Sequence, residues 1–168
     1  MKKEKISYSE LRVWKECTYK HKLIYIDKVD HFLANQYLAF GTAIHKACEE
    51  GVKDPNINLE KVFVESFQEE VQKIGNLDEK IVNQFVEQGK ALCPEILPAL
   101  KNRFPEFELI SVEEPLYENI DEFDSNELKF KGFIDLVIKT PDGKYHIIDW
   151  KTCSWGWDMR KKTDKMVA

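Results

Sequence analysis

The chain has 168 residues, of which 43% are hydrophobic and 33% charged, and its formal net charge is −5. This composition is typical of a single globular domain with a buried core and excludes a largely disordered chain. It contains no run of about 18 apolar residues, so we expect no membrane span. No apolar segment follows the first few residues, so we expect no signal peptide. The cysteines lie far apart without a CxxC pair, which favours reduced thiols in a cytoplasmic protein: Cys17, Cys48, Cys93 and Cys153.

The charge is unevenly distributed along the chain. Residues 1–31 and residues 150–168 each carry a net charge of +3, and the stretch between them carries −11. Basic ends around an acidic middle are compatible with phosphate contacts at one surface, but solvated surfaces of either sign explain the pattern equally well. Charge alone therefore does not separate a nucleic-acid-binding protein from other classes.

Residues 1–104 are predicted to be mainly helical. Ser7 to Glu10 form a capping-box pattern, and apolar residues at helical spacing follow, including Trp14, which we expect to pack in the core. Further helices are expected at residues 23–26, at residues 40–51 with Thr42 as a possible cap, at residues 59–74 before Gly75, and at residues 81–104. Pro94 and Pro98 should kink or split the last of these.

Residues 105–152 are predicted to form a β-meander. Three stretches are rich in β-branched and aromatic residues: 109–117, 128–139 and 144–152. Pro141-Asp142-Gly143 suits a three-residue hairpin loop with a left-handed glycine. The fold class is therefore α/β or α+β, with a helical N-terminal half packed on a central mixed sheet and a basic tail at residues 153–168.

The predicted hairpin brings two carboxylates together. Its register sets Thr140 opposite Lys144 and Asp135 opposite Asp149, with Cβ atoms roughly 5 Å apart. The flanking apolar runs predict strands buried on both faces, where paired carboxylates repel unless a cation offsets their charge. A divalent ion such as Mg²⁺ would do so. The alternative is a surface hairpin on which Asp149 and Lys151 form a simple ion pair.

Several motifs occur in a recognisable order. Residues 132–137 have the form G-x-I-D-x-V, and Asp149-Trp150-Lys151 has the form D-x-K. Upstream lie a G-x-x-x-H motif at residues 41–45, followed by Glu49, and Glu113-Glu114-Pro115. Together with the opening segment from Ser7 to Cys17, these motifs resemble the PD-(D/E)XK nuclease superfamily, and most closely its RecB-type branch of exonuclease domains. The resemblance covers residues 6–152 approximately.

The resemblance implies a role for each matched residue. Asp135 and Asp149 would be the metal-binding carboxylates, and Lys151 the catalytic lysine that positions or activates the attacking water. His45 would be a further metal ligand, and Glu113, with Glu114 as the alternative, a supporting acid. An imidazole ligand favours Mn²⁺ as well as Mg²⁺ as the cofactor.

Two features depart from that branch. Some members hold an iron–sulfur cluster on one cysteine near the start and three near the C-terminus. Cys17 stands at the first position but no later triplet follows, so we expect no cluster and a buried, apolar Cys17. The branch's Q-x-x-x-Y helix is also not found, so we expect either a truncated chain or a substrate contact elsewhere. The basic residues of the tail could meet phosphates or be solvated: Arg160, Lys161, Lys162 and Lys165.

The predicted function is that of a metal-dependent DNA nuclease, an exonuclease or single-strand nuclease in recombination, repair or phage replication. Its partner would be single-stranded DNA or duplex ends, with no membrane involved. One alternative is an accessory module that binds nucleic acid on the same fold but cleaves poorly. Another is a protein-interaction domain whose acidic middle binds a partner.

Overall fold

The computed structural model describes residues 4–29, 35–75, 77–119 and 128–152. Helices dominate the first part of the chain and strands follow, which confirms the predicted α+β class. Strand β1 was not predicted. In chain order the elements are β1 (Lys5–Ser7), α1 (Tyr8–Glu16), α2 (Thr18–His21), a π-helical turn (Lys22–Ile26), α3 (Gln36–Lys53), α4 (Leu59–Ile74), α5 (Glu79–Arg103), β2 (Glu108–Asn119), β3 (Lys129–Lys139) and β4 (Tyr145–Ile148).

The sheet is mixed and is organised around β3, the strand that pairs with the three others. Strand β2 pairs antiparallel with β3 along one edge. Along the other edge, β1 pairs parallel with the start of β3 and β4 pairs antiparallel with its end. Side chains alternate between faces along each strand, so β3 sends Leu136 and Ile138 to one face and Asp135 to the other. Leu136 and Ile138 are fully buried.

Short polar side chains set where the helices begin. Ser7 caps α1 and accepts a hydrogen bond from the Glu10 backbone N–H at 3.3 Å, as the capping pattern predicts. Helix α3 begins at Gln36 because the Asn35 side chain accepts hydrogen bonds from the backbone N–H groups of Tyr37 and Leu38. The expectation that Thr42 caps this helix was therefore wrong, since Thr42 lies one and a half turns inside it.

Helix α5 runs without a break from Glu79 to Arg103, through both prolines. Of the two outcomes expected at Pro94 and Pro98, a kink or a split, the split does not occur. Both prolines are exposed and lie four residues apart, on one stripe of the helix. The carbonyls that lose their N–H partners therefore lie on the solvent side, where water can satisfy them.

The core has two parts that meet near Trp150. A helical core joins α3, α4 and α5 and contains Phe40, Phe63, Phe67 and Phe85, whose ring centroids lie 5.3–6.3 Å apart. A sheet core packs one face of the sheet against α5 and the end of α3. The side chain of Trp150 packs against both parts. The two parts together fix α3 against the end of the β3–β4 hairpin.

Two predicted core residues lie at the surface. Trp14 is 54% exposed, so its expected place in the core was wrong. Cys17 is exposed too, at the junction of α1 and α2, where its sulfur accepts a hydrogen bond from the Lys20 N–H. Both belong to the α1–α2 segment, a surface segment with one side against the protein and the other in solvent. The basic tail residues and the C-terminal tryptophans, Trp155 and Trp157, lie outside the described residues.

Within the described ranges, no helix is both long and apolar enough to cross a membrane.

The contact between α4 and α5 at Gly89 predicts that a larger residue there lowers stability. A Cβ atom there would lie 1.9 Å from the ring of Phe63, which is fully buried. Alanine gains about 1 kcal/mol of helix propensity, but overpacking costs roughly 1–3 kcal/mol. The difference between these terms predicts that Gly89→Ala lowers the free energy of unfolding by up to about 2 kcal/mol, measured by urea denaturation. Gly132→Ala is the control, because its Cβ meets nothing within 4 Å. Equal stability of both variants would contradict this packing.

Candidate metal centre

The hairpin between β3 and β4 has the predicted loop and register. The Thr140 N–H donates to the Lys144 carbonyl at 2.9 Å, and the Gly143 N–H donates back to the Thr140 carbonyl. Gly143 has a φ of +82°, in the left-handed region that glycine adopts without strain. The ladder then continues to the pair of Leu136 and Ile148. The predicted pairing is thus confirmed up to that rung.

The ladder stops one rung before the predicted carboxylate pair. Strand β4 ends at Ile148, so the prediction of a strand reaching Thr152 was wrong. At the next rung Asp135 Oδ2 accepts a hydrogen bond of 2.7 Å from the backbone N–H of Trp150. A side-chain carboxylate here replaces a strand carbonyl as the acceptor, and the chain leaves the ladder. This interaction holds the Asp135 carboxylate in place, and the sequence analysis missed it.

The two sides of this hairpin differ in burial. Leu136 and Ile138 are fully buried under the helices. On the Asp135 side, however, Phe133, Tyr145 and Ile147 are 55%, 61% and 70% exposed. The expectation of strands buried on both faces was therefore wrong. Apolar residues occur on both sides, but the core residues of α5 and α3 pack against the side of Leu136 and Ile138.

Helix α3 brings His45 to Asp135. Its buried face, which includes Ala43, Ile44 and Ala47, fixes the rotation of the helix in the core. His45 Nδ1 then lies 3.5 Å from Asp135 Oδ2. One turn earlier, a Cβ atom on Gly41 would lie only 3.3 Å from Thr152 Oγ1, so glycine allows the helix to approach this segment. The spacing of the G-x-x-x-H motif thus has a physical reason, because residues four apart share one helix face.

Strand β2 supplies the third side chain. The register of β2 and β3 pairs Val112 with Leu136 and Glu114 with Ile134, so Glu113 lies opposite Asp135. Glu113 has a φ of +51°, a left-handed conformation that costs a non-glycine residue about 1–2 kcal/mol. Such strain often marks functional positions. Glu113, and not the alternative Glu114, belongs to the cluster described next.

His45, Glu113 and Asp135 each direct one potential ligand atom to a common point. These three atoms lie within 4.8 Å of one another. Burial raises the pKa of Glu113, and the charges of Asp135 and Glu49 raise this pKa further. Each ligand atom of a Mg²⁺ ion lies about 2.1 Å from the ion, so two ligand atoms are at most about 4.2 Å apart, and the three side chains would move closer together to share one ion. The donor set, an imidazole and two carboxylates that repel one another, therefore fits a divalent cation.

Asp149 and Lys151 lie outside this cluster. Their side chains are 57% and 56% exposed, and Lys151 Nζ lies 2.6 Å from Asp149 Oδ1. They follow Ile148 directly, at the point where the chain leaves the ladder. Of the predicted site residues, the structure thus brings together His45, Glu113 and Asp135, and it pairs Asp149 with Lys151 beside them.

A groove of about 950 Å³ opens onto the cluster between α3 and α4. Its lining is strongly acidic in the part of the chain that the structure describes, and the carboxylates are Glu49, Glu50, Glu65, Glu69, Glu70 and Glu113. Lys46 and Lys53 form ion pairs of 2.5–3.4 Å with Glu49 and Glu50. Glu49, which follows His45 by one turn, is therefore engaged by lysines.

A comparison with protein families gives one match. The model of the PD-(D/E)XK nuclease superfamily matches residues 5–164, which is almost the whole chain. The chain therefore belongs to the PD-(D/E)XK nuclease superfamily, whose members are generally metal-dependent phosphodiesterases. A search of curated proteins found no match.

The strained backbone of Glu113 predicts an inverted order of stability for two variants. In an ordinary strand alanine is more favourable than glycine, because glycine loses more conformational entropy on folding. At a φ of +51° the order should reverse. We expect Glu113→Gly to be more stable than Glu113→Ala by about 1 kcal/mol in urea denaturation without metal. At Glu118, an exposed residue of the same strand, the alanine variant should be the more stable. The same order at both positions would contradict the strain.

Proposed function

We propose that this chain is a divalent-metal-dependent nuclease that hydrolyses phosphodiester bonds in DNA. The observation that carries the proposal is the convergence of His45, Glu113 and Asp135 from three separate elements on one point. An imidazole and two carboxylates suit Mg²⁺ or Mn²⁺. The family match over residues 5–164 supports the same class of reaction.

In this proposal the chain's own side chains form a rigid receptor for the cation. The Trp150 N–H fixes the Asp135 carboxylate at 2.7 Å, and the core fixes α3 and with it His45. Glu113 is held at the same point by its backbone conformation. A divalent cation bound there would supply Lewis-acid neutralisation of charge on the phosphodiester. Preformed ligands reduce the reorganisation that binding requires.

We assign Lys151 and Asp149 to the chemical step. Lys151 would donate hydrogen bonds to the phosphate and hold the attacking water, for which a compact ammonium group on a flexible stem is suited. Asp149, at 2.6 Å from this ammonium, would orient it and serve as a further metal ligand. The two groups lie one and three residues beyond the last rung of the hairpin, on either side of Trp150, whose N–H binds Asp135. The exposed position of this pair leaves it accessible to a substrate phosphate.

We further propose that the enzyme is an exonuclease or single-strand nuclease of the RecB type, acting inside the cell in recombination, repair or phage replication. The motif order supports this assignment. Circular single-stranded DNA provides a direct test, because it offers no end and should resist an exonuclease. Degradation of the circle at the rate of a linear strand would contradict the exonuclease assignment.

The central experiment combines cleavage with a lysine variant. End-labelled linear DNA should be cleaved with Mg²⁺ or Mn²⁺ and not with EDTA. Lys151→Ala should keep its metal affinity, because it removes no ligand, while single-turnover cleavage falls by roughly 10²-fold or more. Lys61→Ala is the matched control, since Lys61 is a 71% exposed lysine on α4, and its cleavage should equal that of the parent chain.

Two results would count against the proposal. If Lys151→Ala cleaves at the parent rate with metal bound, the lysine has no role in the reaction, and its pairing with Asp149 is a surface ion pair. If the parent chain binds DNA and metal but cleaves nothing, the chain is the accessory module considered above.

A further inference from the structure

The side of the sheet that bears Asp135 carries several exposed apolar residues. The strand register sets Tyr117 opposite Lys131, and it sets Ile147 opposite Val137. Tyr117, Phe133, Tyr145 and Ile147 are therefore on the side of Asp135, and their exposed fractions are 40%, 55%, 61% and 70%. We call this surface the open sheet face. Large apolar groups that cluster in this way mark interaction sites more often than isolated ones do.

Each aromatic ring of the open sheet face has a lysine beside it. Lys5 Nζ lies 4.7 Å from the ring centroid of Tyr117. Lys131 Nζ lies 4.9 Å from the ring of Phe133, and Lys139 Nζ lies 5.4 Å from the ring of Tyr145. Three pairs of one cation and one aromatic ring thus occur on a single surface. This combination offers both a stacking platform and a positive charge.

Asp135 of the metal cluster lies between two of these pairs along β3. At about 3.3 Å per residue, Lys131 and Lys139 are roughly 26 Å apart along β3, and Asp135 lies midway. Phe133 precedes Asp135 by two residues on the same face. Tyr145 lies opposite Lys139, four residues after Asp135 along β3. A chain laid along β3 would therefore pass over the position of Asp135, with aromatic contacts before and after it.

Charge distinguishes this surface from the groove between α3 and α4. The groove is lined by carboxylates, and its lysine, Lys46, is already paired. A polyanion would be repelled there. The open sheet face does include Glu108, opposite Lys139, and Asp149, which Lys151 neutralises. Its lysines nevertheless make it the more favourable approach for a phosphate backbone.

We infer that the open sheet face binds single-stranded nucleic acid and leads it to the metal cluster. The occupant is single-stranded because exposed side chains can stack on bases only where the bases are unpaired. Lysines beside the rings would contact the adjacent phosphates. This inference rests on the proposed nuclease function, for which it specifies the substrate and the direction of approach.

Binding in EDTA tests the inference apart from cleavage. Fluorescence anisotropy of the full chain with a labelled oligothymidylate, an oligouridylate and a duplex of equal length should show preference for the single strands. Phe133→Ala and Tyr145→Ala should each weaken single-strand binding by roughly 5- to 100-fold, and Phe133→Tyr should retain it. Lys131→Ala and Lys139→Ala should each reduce the slope of log affinity against log salt by roughly 0.7.

Matched controls separate this surface from general effects. Tyr19→Ala removes a 68% exposed ring from α2, and Lys61→Ala removes an exposed lysine from α4. Both should bind like the parent chain, and circular dichroism should show every variant folded. Equal losses in the controls, or unchanged affinity in Phe133→Ala and Tyr145→Ala, would overturn the inference.

Three further outcomes have defined meanings. If the parent chain is a dimer that Phe133→Ala dissociates with unchanged affinity for the strand, the surface binds a second copy and the inference is wrong. If single strands bind as expected but no metal supports their cleavage, the open sheet face stands as a binding surface while the nuclease function fails. If cleavage occurs but Phe133→Ala leaves binding and cleavage unchanged, the function stands and the inference fails.

Discussion

The hydrogen bond from the Trp150 backbone to Asp135 joins three parts of the fold at one carboxylate. It ends the β3–β4 ladder, because the N–H that would continue the pairing is used by a side chain. It holds Asp135 beside His45 of α3. The indole of Trp150 packs into both parts of the core, so the donor itself has little freedom. The position of the candidate metal centre therefore depends on where this strand leaves the sheet.

The cluster concentrates unfavourable interactions at one point. Glu113 has a strained backbone, its pKa is raised, and it lies beside Asp135 and near Glu49. The buried residues of the sheet core, which include Leu136 and Ile138, do not include these carboxylates. A bound cation would offset the repulsion and stabilise the native state by mass action. A binding site for a divalent ion is expected to be destabilising when no metal is bound. The repulsion and strain in this cluster therefore support the proposed function.

The sequence predicted those features that depend on local chemistry. The Pro141-Asp142-Gly143 loop determined the hairpin register, and the apolar stripe of residues 59–74 determined α4. Features that depend on competition between distant parts could not be predicted this way. The early end of β4 requires knowing that Asp135 captures the Trp150 N–H, and the exposure of Trp14 and Cys17 depends on which helices cover which surface. The motifs predicted that His45, Glu113 and Asp135 would lie together, as they do. They also predicted Asp149 opposite Asp135, but the ladder ends one rung earlier.

The claim that His45, with two carboxylates, forms a divalent metal centre can be tested by pulsed electron paramagnetic resonance of the Mn²⁺-loaded chain. Nitrogen nuclei of a directly bound imidazole modulate the Mn²⁺ echo, whereas carboxylate ligands do not. The account predicts a modulation from one histidine, lost in His45→Gln and retained in His146→Asn, whose ring packs on Phe104 away from the cluster. A modulation that persists in His45→Gln, or its absence from the Mn²⁺-bound parent chain, would contradict the account.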